Sequence, residues 1–264
     1  LFSLKQRIIT GLIAGIIFLV LLFYGNFYIY LSVLLLAIIG MYELIKMRND
    51  FIYSPSSMYA MFLVILIFGQ GLFMYHFFSP AGIILTLILA LLIPVLTKNR
   101  TTFEDMAFAF FSSIYIGIGF YSLLMVRLDT SFLFTVMVLL AIWATDSGAY
   151  FTGYLFKGKG PKLWESISPK KTVVGAIGGT IASVIIILVM QNLLNESISL
   201  SQQFLLGISI AVIGQIGDLA QSAYKRFYNV KDSGNILPGH GGILDRFDSM
   251  LFVFPIVYII TLYI

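Results

Sequence analysis

TVVGAIGGTIASVIIILVMQNL, residues 172–193, holds no Asp, Glu, Lys or Arg in twenty-two positions, and it decides the class of fold. A helix crosses the hydrocarbon of a bilayer with about 20 predominantly apolar residues. This run has that length and is apolar on all sides, whereas a barrel strand alternates over roughly ten residues between turns. The chain therefore reads as helical and membrane-embedded.

Working outward, eight further runs of the same kind fall at 8–24, 27–45, 57–75, 80–97, 106–124, 131–156, 204–221 and 249–264. The whole chain of 264 residues is 59% hydrophobic and 11% charged, with a mean hydropathy of +0.99. Such values lie outside the range of soluble domains. The expected fold is all-α: a polytopic bundle of nine transmembrane helices.

Orientation follows from Lys and Arg, which are retained on the cytoplasmic side of a membrane. With the N-terminus cytoplasmic and the C-terminus external, fifteen of the sixteen fall inside and only Arg127 lies outside. The first run has a basic start, but no A-x-A cleavage site follows it. The net charge of +4 suits an anionic inner leaflet, and no basic tract resembles a nucleic-acid arm. Cysteine is absent, which excludes disulfides, thiolate chemistry and Cys-based zinc sites. Any metal must be held by oxygen or imidazole.

Polar residues are unevenly spread. Residues 1–78 are expected to form three helices with short connections, and 79–264 a region with long cytoplasmic segments at 157–171 and 222–248, where the chemistry is expected. No internal repeat is found, and so lopsided a distribution of Lys and Arg argues against an inverted-repeat transporter. Gly11 and Gly15 form a GxxxG in the first helix, a spacing that favours close helix contact.

The segment 222–248, SAYKRFYNVKDSGNILPGHGGILDRFD, carries seven charged residues among glycines. Charge at membrane depth is costly and marks function. Asp218, Ser222, then Lys225 and Arg226 form one helical stripe of acid, hydroxyl and base. Asp245 and Asp248, spaced i, i+3 at the start of the last helix, share a face beside the positive end of its dipole. Capping with an Asp–Arg pair to Arg246 is the plainer reading of those two alone. With Asp218 and the loop included, Asp218, Asp245 and Asp248 are expected to bracket Mg²⁺, which takes hard oxygen ligands. Gly234, Gly239, Gly241 and Gly242 would let backbone amides approach an anion, with His240 among them. His76, on an external turn, has the structural reading.

A second constellation runs over residues 146–172, DSGAYFTGYLFKGKGPKLWESISPKKT. Asp146 and Tyr150 share a face. Lys157, Lys159 and Lys162 are explained equally by topology and by phosphate neutralisation. Lys170 and Lys171 are stronger phosphate candidates, because SPKKT leads straight into a helix N-terminus. Trp143, Tyr154 and Trp164 read as interfacial anchors or core.

Ser222, Lys225-Arg226, Lys231-Asp232, Leu237-Pro238, His240-Gly241-Gly242 and Asp245-Arg246-Phe247-Asp248 together resemble the signature of phosphatidate cytidylyltransferases, the CDP-diacylglycerol synthases. Gly217–Leu219, Asp146–Tyr150 and Ser168–Thr172 resemble further family blocks in the expected order. Departures are Tyr224 in a slot usually aliphatic or Phe, Gln221 for a commoner acid, and Val174 for Glu or Gln. The resemblance implies the reaction of CTP and phosphatidate to CDP-diacylglycerol and pyrophosphate. It also implies Mg²⁺, a second monovalent cation such as K⁺, a homodimer, and an inner-membrane enzyme whose site faces the cytoplasm. Catalytic roles are thereby expected for Asp218, Asp245, Asp248, Lys225 and Arg226. Substrate contacts are expected for Ser222, Lys170, Lys171, Lys231, His240, Gly241, Gly242, Arg246 and Asp146.

Two other classes compete. A CTP-dependent polyprenol or phytol kinase would transfer the γ-phosphoryl group and release CDP. A cation transporter using Asp146 and Asp218 would move ions without CTP. The DG…AR…G…D…D pattern of a CDP-alcohol phosphotransferase is absent.

Overall fold

The computed structural model describes residues 4–73, 79–156, 160–194 and 198–263. His76, Lys157 and Lys159 lie outside the described residues. Among them the order is α1 (Leu4–Tyr24), α2 (Asn26–Met47), α3 (Pro55–Phe73), α4 (Pro80–Leu96), α5 (Phe103–Asp129), α6 (Phe132–Leu155), β1 (Lys162–Trp164), β2 (Ser168–Thr172), α7 (Val173–Leu194), α8 (Leu200–Phe227) and α9 (Leu244–Thr261).

Each apolar run forms one helix. Five of these, α2, α5, α6, α7 and the long α8, are long and apolar enough to cross a membrane. The apolar stretches of α1, α3 and α4 are shorter, and α9 opens on the charged sequence LDRFD.

Caps explain several boundaries. Ser79, Ser131 and Ser199 sit in extended conformation and accept a backbone N–H of the following turn. Ser199 and Gln202 form a reciprocal capping box. Each supplies an acceptor to an otherwise unpaired donor at a helix start.

The segment expected as a plain loop contains an antiparallel hairpin, with Lys162 opposite Thr172 and Trp164 opposite Ser168. The strands are short and polar, so no alternation of hydrophobicity announces them. Thr172 ends β2 and caps α7, its Oγ1 accepting from Gly175 N at 3.1 Å. Strand passes into helix without a loop.

The chain packs as two compact units: Leu1–Leu21, Phe27–Tyr121 and Asp232–Asp245 in the first, Leu22–Asn26, Ser122–Lys231 and Arg246–Ile264 in the second. The first buries Val33, Ala37 and Met41 of α2 with Leu63, Ile67 and Phe68 of α3 and Phe120 of α5. The second buries Met137, Val138 and Ala141 of α6 with Ile187, Ile210, Ala211, Val253 and Phe254.

In the second unit, small residues set how closely helices approach. A Cβ on Gly179 would fall 2.6 Å from Thr145 O, and one on Gly148 would fall 2.7 Å from the Ala182 Cβ. A Cβ on Gly217 would fall 2.8 Å from Asp248 O. Small residues at such seams are how helices associate where lipid removes the hydrophobic drive between them. The outward faces are the apolar ones: Ile177, Ile181, Ile185 and Val189, at four-residue steps on α7, are all more than half exposed. That stripe suits acyl chains.

Candidate active site

The second unit gathers most of the residues singled out in the sequence. The α8–α9 seam at Gly217 brings Asp218 on α8 beside the turn of α9 that carries Asp248. The α6–α7 seam does the same for Asp146 on α6 and the hairpin leading into α7. Lys171 on β2 reaches Asp218, with Nζ 2.5 Å from Oδ2, and the ammonium is shielded from solvent. Ser222, one turn along α8, donates to Asp218 Oδ1 at 3.4 Å. Asp248 Oδ1 accepts from Ser249 N at 2.8 Å.

Charge is concentrated here. Asp218 acts electrostatically on both Asp146 and Asp248, and Asp146 also acts on Asp248. Against these three carboxylates, Lys171 and Arg246 act on Asp146, and Lys225 acts on Asp248. Lys170, Arg226 and Lys231 are exposed.

Asp146, Tyr150, Lys170, Lys171, Gln215 and Asp218 line a cavity of about 380 Å³. Asp146 is open to this cavity although protein surrounds it. An apolar groove of similar volume, about 380 Å³, adjoins the cavity through the shared residues Leu163, Ala176 and Gln215. A larger opening of about 600 Å³ lies in the first unit, at the α2–α3 and α4–α5 loops. It contains none of the residues singled out and does not compete as the site.

The first unit holds the other sequence candidates. Leu237 N donates to Gly241 O and His240 N donates to Leu237 O, so the glycine turn is closed on itself. Gly239 and Gly241 have φ of 76° and 81°, a region that glycine enters without strain. Asp245 Oδ2 accepts from Ser233 N, Ser233 Oγ and Gly242 N at 2.7, 3.0 and 2.9 Å. The Gly242 amide, expected to face an anion, thus serves the protein's own carboxylate. His240 lies against Gly11, whose Cβ would sit 3.0 Å from Nε2. Gly11 gives room to an imidazole, and Gly15 has nothing within 4 Å.

Sequence reasoning missed Glu43 of α2, which is 1% exposed and bonded to the same loop. The available signal was a lone acid inside an apolar run.

No group of three or more His, Asp or Glu residues among the described residues forms a ready metal-binding cluster. Mg²⁺, however, binds through one or two carboxylates and completes its octahedron with phosphate and water. Asp146, Asp218 and Asp248 offer only oxygen donors and act on one another as like charges, so one or two of them suit such an ion in chemical type.

The profile of the cytidylyltransferase family matches residues 5–264. The chain is 38% identical to the phosphatidate cytidylyltransferase of Bacillus subtilis, over 97% of each protein. It is 40% identical to that of Staphylococcus epidermidis, over 98% of this chain and 99% of the relative. With that of Staphylococcus saprophyticus it shares 41% identity, over 99% of this chain and all of the relative.

Proposed function

Since the chain belongs to the cytidylyltransferase family, we propose that it converts CTP and phosphatidate to CDP-diacylglycerol and pyrophosphate, as an integral membrane enzyme of phospholipid synthesis. One observation carries this reading: the cavity holding the Lys171–Asp218 pair adjoins an apolar groove. A lipid phosphate needs both, cations for its head and an apolar surface for its chains.

A phosphate oxygen of phosphatidate attacks the α-phosphorus of CTP. The bond from that phosphorus to the bridging oxygen breaks, and pyrophosphate leaves with the electron pair. The nucleophile is already an oxyanion, so alignment and charge neutralisation replace a general base. Each close pair of like charges costs about 1 kcal/mol in water and about 4 kcal/mol at an effective dielectric of 20. Lys170 and Lys171 meet the lipid phosphate, while Lys225, Arg226, Lys231 and Arg246 serve the triphosphate. Ser222 orients Asp218.

Asp218 and Asp248 would hold Mg²⁺ with Asp146 beside them, and the ion would neutralise the triphosphate and its leaving group. Asp245, whose Oδ2 already accepts three hydrogen bonds, shapes the loop. A monovalent cation such as K⁺ would be the second ion that the family resemblance implies.

The reading places nine spans in the inner membrane, with the N-terminus and the site cytoplasmic, the C-terminus external, and two copies associating. The test is pyrophosphate release by purified protein in detergent. Release that needs CTP, phosphatidate and a divalent ion together supports the proposal, and release indifferent to phosphatidate refutes it.

A further inference from the structure

α2 is apolar over most of its length, yet it buries one carboxylate. Glu43 is 1% exposed. Its Oε1 accepts from Ile243 N at 2.8 Å, and its Oε2 accepts from Leu244 N and from Ser233 Oγ, both at 2.9 Å. These partners lie at least 190 residues away along the chain. The space around the carboxylate is made by glycine: a Cβ on Gly234 would fall 2.7 Å from Oε1, and one on Gly242 would overlap both oxygens.

Leu244 is the first residue of α9. The N–H groups at a helix start have no partner within the helix and carry the positive end of its dipole. A capping side chain normally comes from the residue just before the helix. Here the cap comes from another helix. Ser233 ties the arrangement together, its hydroxyl lying within hydrogen-bond distance of both Glu43 and Asp245. A loop with glycine at 234, 239, 241 and 242 does not hold one conformation by its own propensity, so an external clamp has a clear task.

We propose that Glu43 is a positioning residue: as a carboxylate it clamps the 232–245 segment onto α2 and fixes the start of α9, and with it the register of Asp248, one turn further along the same helix. Glu43 touches no substrate. The clamp rests on geometry alone, and its consequence for turnover rests on the cytidylyl transfer proposed above. Chemistry demands the acid. Glu43→Gln has nearly the same shape but sets an NH₂ donor against an N–H or O–H donor, and Glu43→Asp falls one methylene short.

The test uses the full chain in detergent, with hydrogen exchange of peptides covering 232–248 and turnover per folded molecule as readouts. In Glu43→Gln, exchange of 232–248 is expected to rise about tenfold or more while α6–α8 stay unchanged. kcat is expected to fall roughly 10–100-fold, the range for losing a group that orients metal ligands. The KM for CTP should stay within about twofold, and Glu43→Asp should recover part of the loss, because misplacement lowers kcat before binding. Should Glu43→Gln fail to fold, Ser233→Ala removes one donor without touching α2 and should shift both readouts the same way by less. Unchanged exchange overturns the clamp. Faster exchange with full kcat overturns the positioning role and leaves a structural tie. Absence of cytidylyl transfer by the unaltered protein would sink the proposed function, and the exchange readout would still judge the clamp.

Discussion

Lys171 Nζ and Asp218 Oδ2 stand 2.5 Å apart and join the strand before α7 to α8. The ammonium is shielded from solvent, and Asp218 also acts on Asp146 and Asp248. One cation is thus paired with Asp218 in the cavity that Asp146 also lines, and an incoming phosphate would compete with Asp218 for it.

Lys171→Met is therefore expected to lower kcat by about 10²–10³-fold, the usual cost of removing one preorganised group that stabilises developing charge. Combined with Asp218→Asn, the loss should be less than additive, with a coupling of about 0.5–3 kcal/mol for groups in direct contact. Steady-state kinetics on the two single variants and the double variant measure it.

Asp248→Asn separates function from stability. Without a divalent ion, Asp248 repels Asp146 and Asp218, so the variant should melt no lower than the unaltered protein, and by about 2–4 °C higher if about 1 kcal/mol of repulsion is relieved. Turnover should nevertheless be lost, and the rise in melting temperature with Mg²⁺ that is expected for the unaltered protein should be absent from the variant. Thermal scans with and without Mg²⁺ read both effects.

Two glycines should behave oppositely. Gly217→Ala places a methyl 2.8 Å from Asp248 O and 3.0 Å from the Phe252 Cβ, and overpacking of this kind costs about 1–3 kcal/mol. The same change at Gly15 meets nothing within 4 Å and should be neutral or stabilising by up to about 1 kcal/mol, the helix propensity gained over glycine. Melting temperatures and turnover of the two variants, compared side by side, decide this.

Arg127 offers a control outside the site. Its Nε donates to Leu22 O at 2.6 Å and its guanidinium also reaches Phe23 O at 3.2 Å, closing the end of α1 beside Gly25, whose φ is 65°. Arg127→Leu should cost about 1–3 kcal/mol, because it strands carbonyls that lose a charged donor. Activity per folded molecule should stay unchanged. Denaturation and specific activity on the same preparation check both halves.

The nine helices among the described residues were legible because hydropathy over about 20 residues is a strong signal. Their polar ends were less so. α8 runs to Phe227 rather than residue 221, since Ser222, Lys225 and Arg226 continue the helix beyond its apolar part. The hairpin Lys162–Thr172 left no trace, because three- and five-residue polar strands have no readable period. Within the site, Asp218, Ser222, Lys225 and Asp248 could be seen from local spacing. The nearness of Asp146 and Lys171 to Asp218 depends on glycine seams between helices, which no local pattern encodes. Glu43 escaped notice because its partners lie some two hundred residues away.

The most direct measurement gives the protein phosphatidate, Mg²⁺ and CTP labelled at either the α- or the γ-phosphorus, then counts label in the lipid phase. Cytidylyl transfer predicts that α-label enters the lipid and γ-label leaves in pyrophosphate. Label from the γ-position in a lipid product, with α-label retained in CDP, would contradict the account and make the protein a lipid kinase.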